Sequence, residues 1–72
     1  MKVKTLTAVL HKEENLYVAE CPEVGTVSQG GTIEEAVANL KEATELYLEE
    51  FPLQETSQTF LTTFEAEYAE AA

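Results

Sequence analysis

The sequence predicts an α+β domain in which a four-stranded, largely antiparallel sheet carries one amphipathic helix on one face. Three observations predict it: residues alternate with a period of two near the start, a helical periodicity follows, and a Thr- and Phe-rich stretch lies near the end. The predicted order is β-β-β-α-β. A length of 72 residues is enough for a single domain, which we place at residues 1–72.

Three strands are predicted before the helix, at residues 3–11, 16–21 and 26–29. In the first, polar and apolar residues alternate, so that Leu6, Ala8 and Leu10 share one face. The opposite face carries Val3, Thr5, Thr7 and Val9. Residues 12–15 form a polar break, and the segment from Pro22 to Gly25 supplies the second turn.

The helix is predicted at residues 33–51. Thr32 followed three residues later by Glu35 is a capping-box sequence, and Pro52 ends the helical pattern. At about 100° per residue, the apolar side chains fall on one side and most glutamates on the other. The apolar side comprises Ile33, Ala36, Val37, Leu40, Ala43, Thr44, Tyr47, Leu48 and Phe51.

The stretch from Thr56 to Tyr68 fits two patterns. Phe60, Phe64 and Tyr68 suit a helical repeat, and the same stretch also alternates as a strand does. Because Thr and Phe dominate residues 56–64 and favour extended backbone, we predict a fourth strand at residues 56–66. The glutamate- and alanine-rich end past residue 66 could be frayed or helical.

One helix covers only one face of such a sheet, while the first strand offers valine and threonine to the other. A core this small is also a weak stabiliser on its own. We therefore expect a second copy of the chain or a partner protein to cover the remaining face, and a homo-oligomer is the simpler expectation.

The sequence is strongly acidic, with fourteen glutamates against four lysines and a formal net charge of −10. This balance disfavours binding to nucleic acid and to anionic membranes, and it favours basic proteins as partners. Since the chain contains no apolar run of about 18 residues and no secretory leader, we expect a cytoplasmic location.

Catalysis is not expected. His11 and Cys21 are the candidate base and nucleophile, but pairing His11 with Leu16 puts Cys21 opposite Leu6, roughly 17 Å from His11 at about 3.4 Å per residue. A single cysteine permits no disulfide within the chain, and metal-ligand spacings are absent. Glu42, Glu45 and Glu49 could in principle hold a divalent metal, but a solvated helix face explains them better. We predict no cofactor.

The segment Tyr17–Gly25, the segment Thr26–Ala36 and the sequence Asn39–Ala43 together resemble the HicB-like antitoxin family. The matching features are a tyrosine-bearing strand, a Pro-x-x-Gly turn, a Gly-x-Thr-x-x-Glu-Ala helix start and an amphipathic helix. With the outer strands included, the resemblance covers most of residues 3–66. It implies a partial ribonuclease-H-like domain that neutralises a small basic HicA-type toxin, which cleaves mRNA, by occluding the toxin's active surface.

Members of that family often add a C-terminal DNA-binding segment that represses their own operon. This chain ends about twenty residues after the predicted helix, so we expect no direct operator binding. The likeness to ribonuclease H does not imply catalysis, because the sequence contains no aspartate. The alternatives are an orphan homo-oligomeric adaptor or structural protein and, less favoured, a small hydrolase or ligand-binding domain.

The candidate partner-binding residues are acidic and fall into three groups, at the second turn, at the helix start and along the outer helix face. Leu46 projects among the last group and is a candidate apolar contact. The full set is Glu20, Glu23, Glu34, Glu35, Glu42, Glu45, Leu46 and Glu49.

Overall fold

A computed structural model describes residues 2–54 and 58–71 of the chain. The described residues form a three-stranded antiparallel sheet followed by one helix. The strands are β1 (Val9–Glu13), β2 (Leu16–Cys21) and β3 (Thr26–Gly30), in the sheet order β1-β2-β3, and the helix is α1 (Ile33–Glu50). This confirms the predicted α+β class, the meander and the helix.

The first strand is shorter than predicted and lies further along the chain. It begins at Val9, where the prediction began at residue 3, because its ladder ends at the pair Val9–Glu20. Beyond Cys21 the second strand turns away through Pro22, which has no backbone N–H to offer. The backbone N–H of Thr7 instead donates to the Glu23 carboxylate, at 3.0 Å.

The β1–β2 turn is tighter than the predicted four-residue break. Glu13 pairs with Leu16, which leaves only Glu14 and Asn15 in the turn. Glu14 has a φ of 52°, the left-handed conformation that two-residue hairpin turns often require. The predicted pairing of His11 with Leu16 is therefore wrong, and His11 pairs with Val18.

The core lies between α1 and one face of the sheet. Its buried residues are Ala19 and Cys21 from β2 and Ala36 and Leu40 from α1. Leu6, Ala8 and Leu10 pack against this cluster, which confirms that they share a face, although the first two precede β1. The hydroxyl groups of Thr26 and Thr44 lie 2.7 Å apart and give the buried Thr44 its hydrogen-bonding partner.

The helix start follows the capping prediction with one difference. The Thr32 hydroxyl accepts a hydrogen bond from the backbone N–H of Glu35 at 3.1 Å. The Glu35 carboxylate accepts from the N–H of Gly31 at 3.2 Å, one residue before the cap. Gly30 lies so close to the first helical turn that an added Cβ would come within 2.6 Å of the Ala36 nitrogen.

The predicted fourth strand is not seen. Residues 58–66 have neither helix nor strand in the described chain, and residues 56 and 57 of the prediction lie outside the described residues. Strands form by pairing, and no hydrogen bond among the described residues joins residues 58–71 to the sheet. The side chains of Phe60, Phe64 and Tyr68 are 81%, 87% and 82% exposed.

Candidate protein-binding surface

The outer face of α1 is an acidic stripe. Glu35, Glu42 and Glu49 are spaced by seven residues, which is close to two helical turns, and all three are exposed. At 1.5 Å per residue, successive members stand roughly 10 Å apart along the helix. Ala36, Leu40 and Thr44 point the opposite way into the core, so the stripe faces solvent.

Leu46 lies within the acidic stripe and is 57% exposed. It stands one turn from Glu42 and one turn from Glu49, and Glu45 is its neighbour in the chain. Lys41 Nζ lies 4.0 Å from Glu45 Oε2, but an exposed pair of this kind neutralises little charge. The stripe therefore offers an apolar side chain surrounded by carboxylates.

The two glutamates at the helix start differ in what they do. Glu34 is exposed in the first turn, where a negative charge is favourable to the helix dipole. Glu35 uses its carboxylate to cap the Gly31 N–H, so it has a structural role already. Both lie in the N-terminal half of the helix, which packs nearest Gly30, whereas Leu46 and Glu49 lie in its C-terminal half.

Glu20 and Glu23, predicted together at the second turn, do different things. Glu20 pairs with Val9 and Val27 and alternates with the buried Ala19 and Cys21, so it faces away from α1. Glu23 is held within the fold. Its carboxylate accepts hydrogen bonds from the Thr7 hydroxyl at 2.6 Å as well as from the Thr7 N–H, and these bonds lower the pKa of Glu23 to about 2.

The eight predicted residues therefore fall in separate places. Six lie along α1, one lies on the opposite face of the sheet, and one fastens the N-terminal segment to the turn. A single partner could contact the α1 group together. Whether any of them binds a partner stays a prediction.

His11 and Cys21 do not form a catalytic pair. His11 pairs with Val18, three strand positions from Cys21 or roughly 10 Å at about 3.4 Å per residue. The His11 Nε2 atom lies 3.5 Å from a Glu13 carboxylate oxygen instead. Burial raises the pKa of the Cys21 thiol, and Glu23, which accepts from Sγ at 3.4 Å, raises it further. A buried, protonated thiol is a poor nucleophile.

Within residues 2–54 and 58–71, no helix or strand covers the sheet face that points away from α1. It carries Val9, His11, Glu13, Leu16, Val18, Glu20, Val27 and Gln29. Val27 is 56% exposed, so the face presents apolar surface to solvent. An uncovered face was predicted, but its composition was not: of the four residues named for it, only Val9 belongs to β1.

Sequence reasoning missed a groove at the C-terminal end of α1. The groove measures about 220 Å³, is widely open, and is lined by Glu23, Val24, Tyr47, Leu48, Phe51, Pro52, Leu53 and Gln54. The rings of Tyr47 and Phe51 stack there with centroids 4.8 Å apart. Cavities that enclose small molecules are usually larger, at about 300–1,000 Å³. In the sequence, the signal that could have predicted this groove is the spacing of Tyr47, Phe51 and Pro52.

Among residues 2–54 and 58–71, no group of three or more His, Cys, Asp or Glu side chains is placed to hold a metal ion. Nor does this part of the chain contain a helix with the length and apolarity needed to cross a membrane.

The fold and surface define a small α+β domain whose exposed helix face is acidic. Over 44 residues, the chain is 54% identical to a UPF0150 protein of Helicobacter pylori, a match that covers 60% of this chain and 61% of the relative. Over 47 residues it is 43% identical to a UPF0150 protein of Synechocystis, covering 64% and 68%. The chain belongs to the UPF0150 family. No family model and no solved structure matches it.

Proposed function

We propose that this domain is a non-catalytic, antitoxin-like protein that neutralises a small basic, mRNA-cleaving toxin of the HicA type by occlusion. The observation that carries the proposal is the exposed acidic stripe of α1 in a chain of net charge −10. A basic RNA-binding surface is the natural complement of such a stripe, which would compete with RNA for it. The domain would act in the cytoplasm, where the toxin meets mRNA.

The HicB-like resemblance of residues 17–43 supports the same proposal. It also supports a partial ribonuclease-H-like fold, whose fourth strand would come from residues 56–66. In this reading the fold is a scaffold that presents the helix, and it carries no nuclease chemistry.

Leu46 gives the stripe an apolar contact. Half-exposed leucine beside carboxylates suits a toxin surface where an apolar patch lies among lysines and arginines. Charges around such a contact mainly raise the association rate, whereas burial of the leucine slows dissociation.

The test is a titration of the full chain against RNA cleavage by a HicA-like toxin from the same source, at two salt concentrations. Stoichiometric loss of cleavage that weakens with salt is the expected result. Undiminished cleavage at excess protein would overturn the proposal.

Charge-reversal variants locate the surface. We expect Glu42→Lys with Glu49→Lys to slow toxin association roughly tenfold and to flatten its salt dependence. The matched control, Glu13→Lys with Glu14→Lys, changes the net charge equally but lies at the β1–β2 turn. Equal slowing by both pairs would remove the stripe as the binding site and leave only a net-charge effect.

A second candidate is an orphan homo-oligomeric adaptor or structural protein without a toxin. The exposed apolar residues of the open sheet face and of residues 58–71 favour it. This candidate predicts a stable homo-oligomer together with no effect on toxin activity, so the same titration separates the two.

A further inference from the structure

Residues 58–71, here called the C-terminal tail, expose three aromatic rings at once. Phe60, Phe64 and Tyr68 are each more than four-fifths exposed. Burying apolar side chains is the main stabilising contribution in a small domain, so leaving all three rings in water forgoes a large part of what it can gain. Such a concentration of exposed apolar surface marks an interaction site.

The tail has the sequence of a strand. From Gln58 to Phe64 it carries no charge, and it alternates Phe60, Thr62 and Phe64 on one side. Threonine and phenylalanine favour extended backbone over helix. What the segment lacks in the described chain is a strand to pair with.

The sheet has an edge available for it. The order β1-β2-β3 leaves one side of β1 unpaired among the described residues, so its backbone N–H and C=O groups face outward. Leu10 on β1, and Leu6 and Ala8 just before it, are only partly buried against the core. Aromatic rings laid beside this edge would complete their burial.

Charge distinguishes the β1 edge from the β3 edge. Residues 2–12 contain Lys2, Lys4 and Lys12 and no glutamate, whereas the tail contains Glu65, Glu67 and Glu70 and no lysine. If the tail lies antiparallel to this segment with its rings beside Leu6 and Leu10, its glutamates fall on the side of Lys2 and Lys4. Residues 26–30 of β3 carry no charge and offer no such match.

We propose that the tail of one chain adds as a fourth strand to the β1 edge of a second copy, and that the second copy reciprocates. In its own chain the tail leaves its rings exposed, and a two-fold exchange would bury both tails and close both edges at once. The resulting dimer leaves the acidic stripe of α1 free, and formation of the dimer requires no toxin.

Light scattering coupled to size-exclusion chromatography of the full chain tests this. The wild type should have twice the mass of one chain, and Phe60→Glu with Phe64→Glu should halve it. The control, Ile33→Glu with Leu46→Glu, replaces two half-exposed helix residues, adds the same charge and should stay dimeric. Circular dichroism checks that α1 forms in each variant. A monomeric wild type, or a dimer that survives the tail substitutions, would overturn the proposal.

A second experiment separates exchange between chains from pairing within one chain. Isotope-labelled and unlabelled chains are unfolded together and refolded, and isotope-filtered nuclear Overhauser spectra are recorded. Contacts from the rings of Phe60 and Phe64 to Leu6, Ala8 or Leu10 should connect different chains. Contacts confined to one chain would refute the exchange. Neither experiment contains toxin, so its failure is distinct from failure of the antitoxin proposal.

Discussion

Glu23 fastens the irregular N-terminal segment to the turn between β2 and β3. Both of its carboxylate oxygens accept hydrogen bonds from Thr7, one from the hydroxyl and one from the backbone N–H. These bonds favour the ionised carboxylate, which explains why its pKa falls from 4.5 to about 2. Glu23 therefore holds the N-terminal segment in place, as pairing in a longer β1 would otherwise do.

This arrangement predicts a specific acid sensitivity. The folded-state pKa of Glu23 lies below the unfolded value, so its contribution is complete above about pH 4.5 and is lost as pH falls toward 2. Glu23→Gln should therefore be less stable than wild type at neutral pH, and the gap should close near pH 2. Urea unfolding across this range measures it. A gap independent of pH would contradict the assignment.

Glycine is required at position 30 because the backbone of the first turn of α1 lies so close, and not because of the φ angle of Gly30. A Cβ there would meet the Ala36 nitrogen at 2.6 Å and the Glu35 carbonyl carbon at 2.9 Å, both backbone atoms that cannot rotate away. We expect Gly30→Ala to destabilise the fold by about 1–3 kcal/mol. At Gly31 an added Cβ meets open space, so Gly31→Ala should change stability by less than about 0.5 kcal/mol. Chemical denaturation that finds equal effects would refute this account.

At the scale of the element, α1 combines a strong start with a polar outer surface. Its cap, its first-turn glutamates and its bond to β3, where Asn39 Nδ2 donates to the Gln29 carbonyl at 2.8 Å, fix its position. The helix was predicted at residues 33–51 and ends at Glu50, with Phe51 as its cap. Local sequence is sufficient here because capping and periodicity are local properties.

Removing the cap should loosen the helix. Thr32→Ala leaves the Glu35 N–H without its acceptor and should cost about 1 kcal/mol of unfolding free energy. Thr32→Asp keeps an acceptor oxygen and should preserve stability. Helical ellipticity followed through urea unfolding measures both, and equal losses would show that the hydroxyl bond contributes nothing.

At the scale of the whole molecule, the exposed tail makes stability depend on association. If two chains exchange tails, folding is coupled to dimerisation, and the melting temperature rises with protein concentration. We expect this rise in the wild type. Phe60→Glu with Phe64→Glu should melt at a temperature independent of concentration. Scanning calorimetry over a wide concentration range provides the measurement.

The acidic stripe and the tail occupy different parts of the molecule, so the proposed dimer and the proposed toxin complex are compatible. The stripe lies on the outer face of α1, and the tail would lie along β1. One dimer would then present two stripes. Toxin neutralisation should accordingly show a stoichiometry of one toxin per chain.

The sequence by itself determined the α+β class, the second and third strands, the helix with its cap, and the core-facing residues Leu6, Ala8 and Leu10. These depend on periodicity, turn residues and capping, which act over a few neighbouring positions. The acidic outer face of α1 was predictable for the same reason, since a single helical period decides which side chains point outward.

Only the tertiary structure decided where β1 begins, how it pairs, and what becomes of residues 58–66. The pairing moved by two residues on the β1 side, because Glu14 adopts a left-handed conformation in a two-residue turn, and residues before Val9 stay out of the ladder, where Glu23 binds Thr7. A strand is defined by its partner, which lies far away in the chain, so residues with strong strand propensity remain unpaired in the described structure. The separation of Glu20 from Glu23, three residues apart, has the same origin: one follows the pleat of the sheet and the other a long-range hydrogen bond.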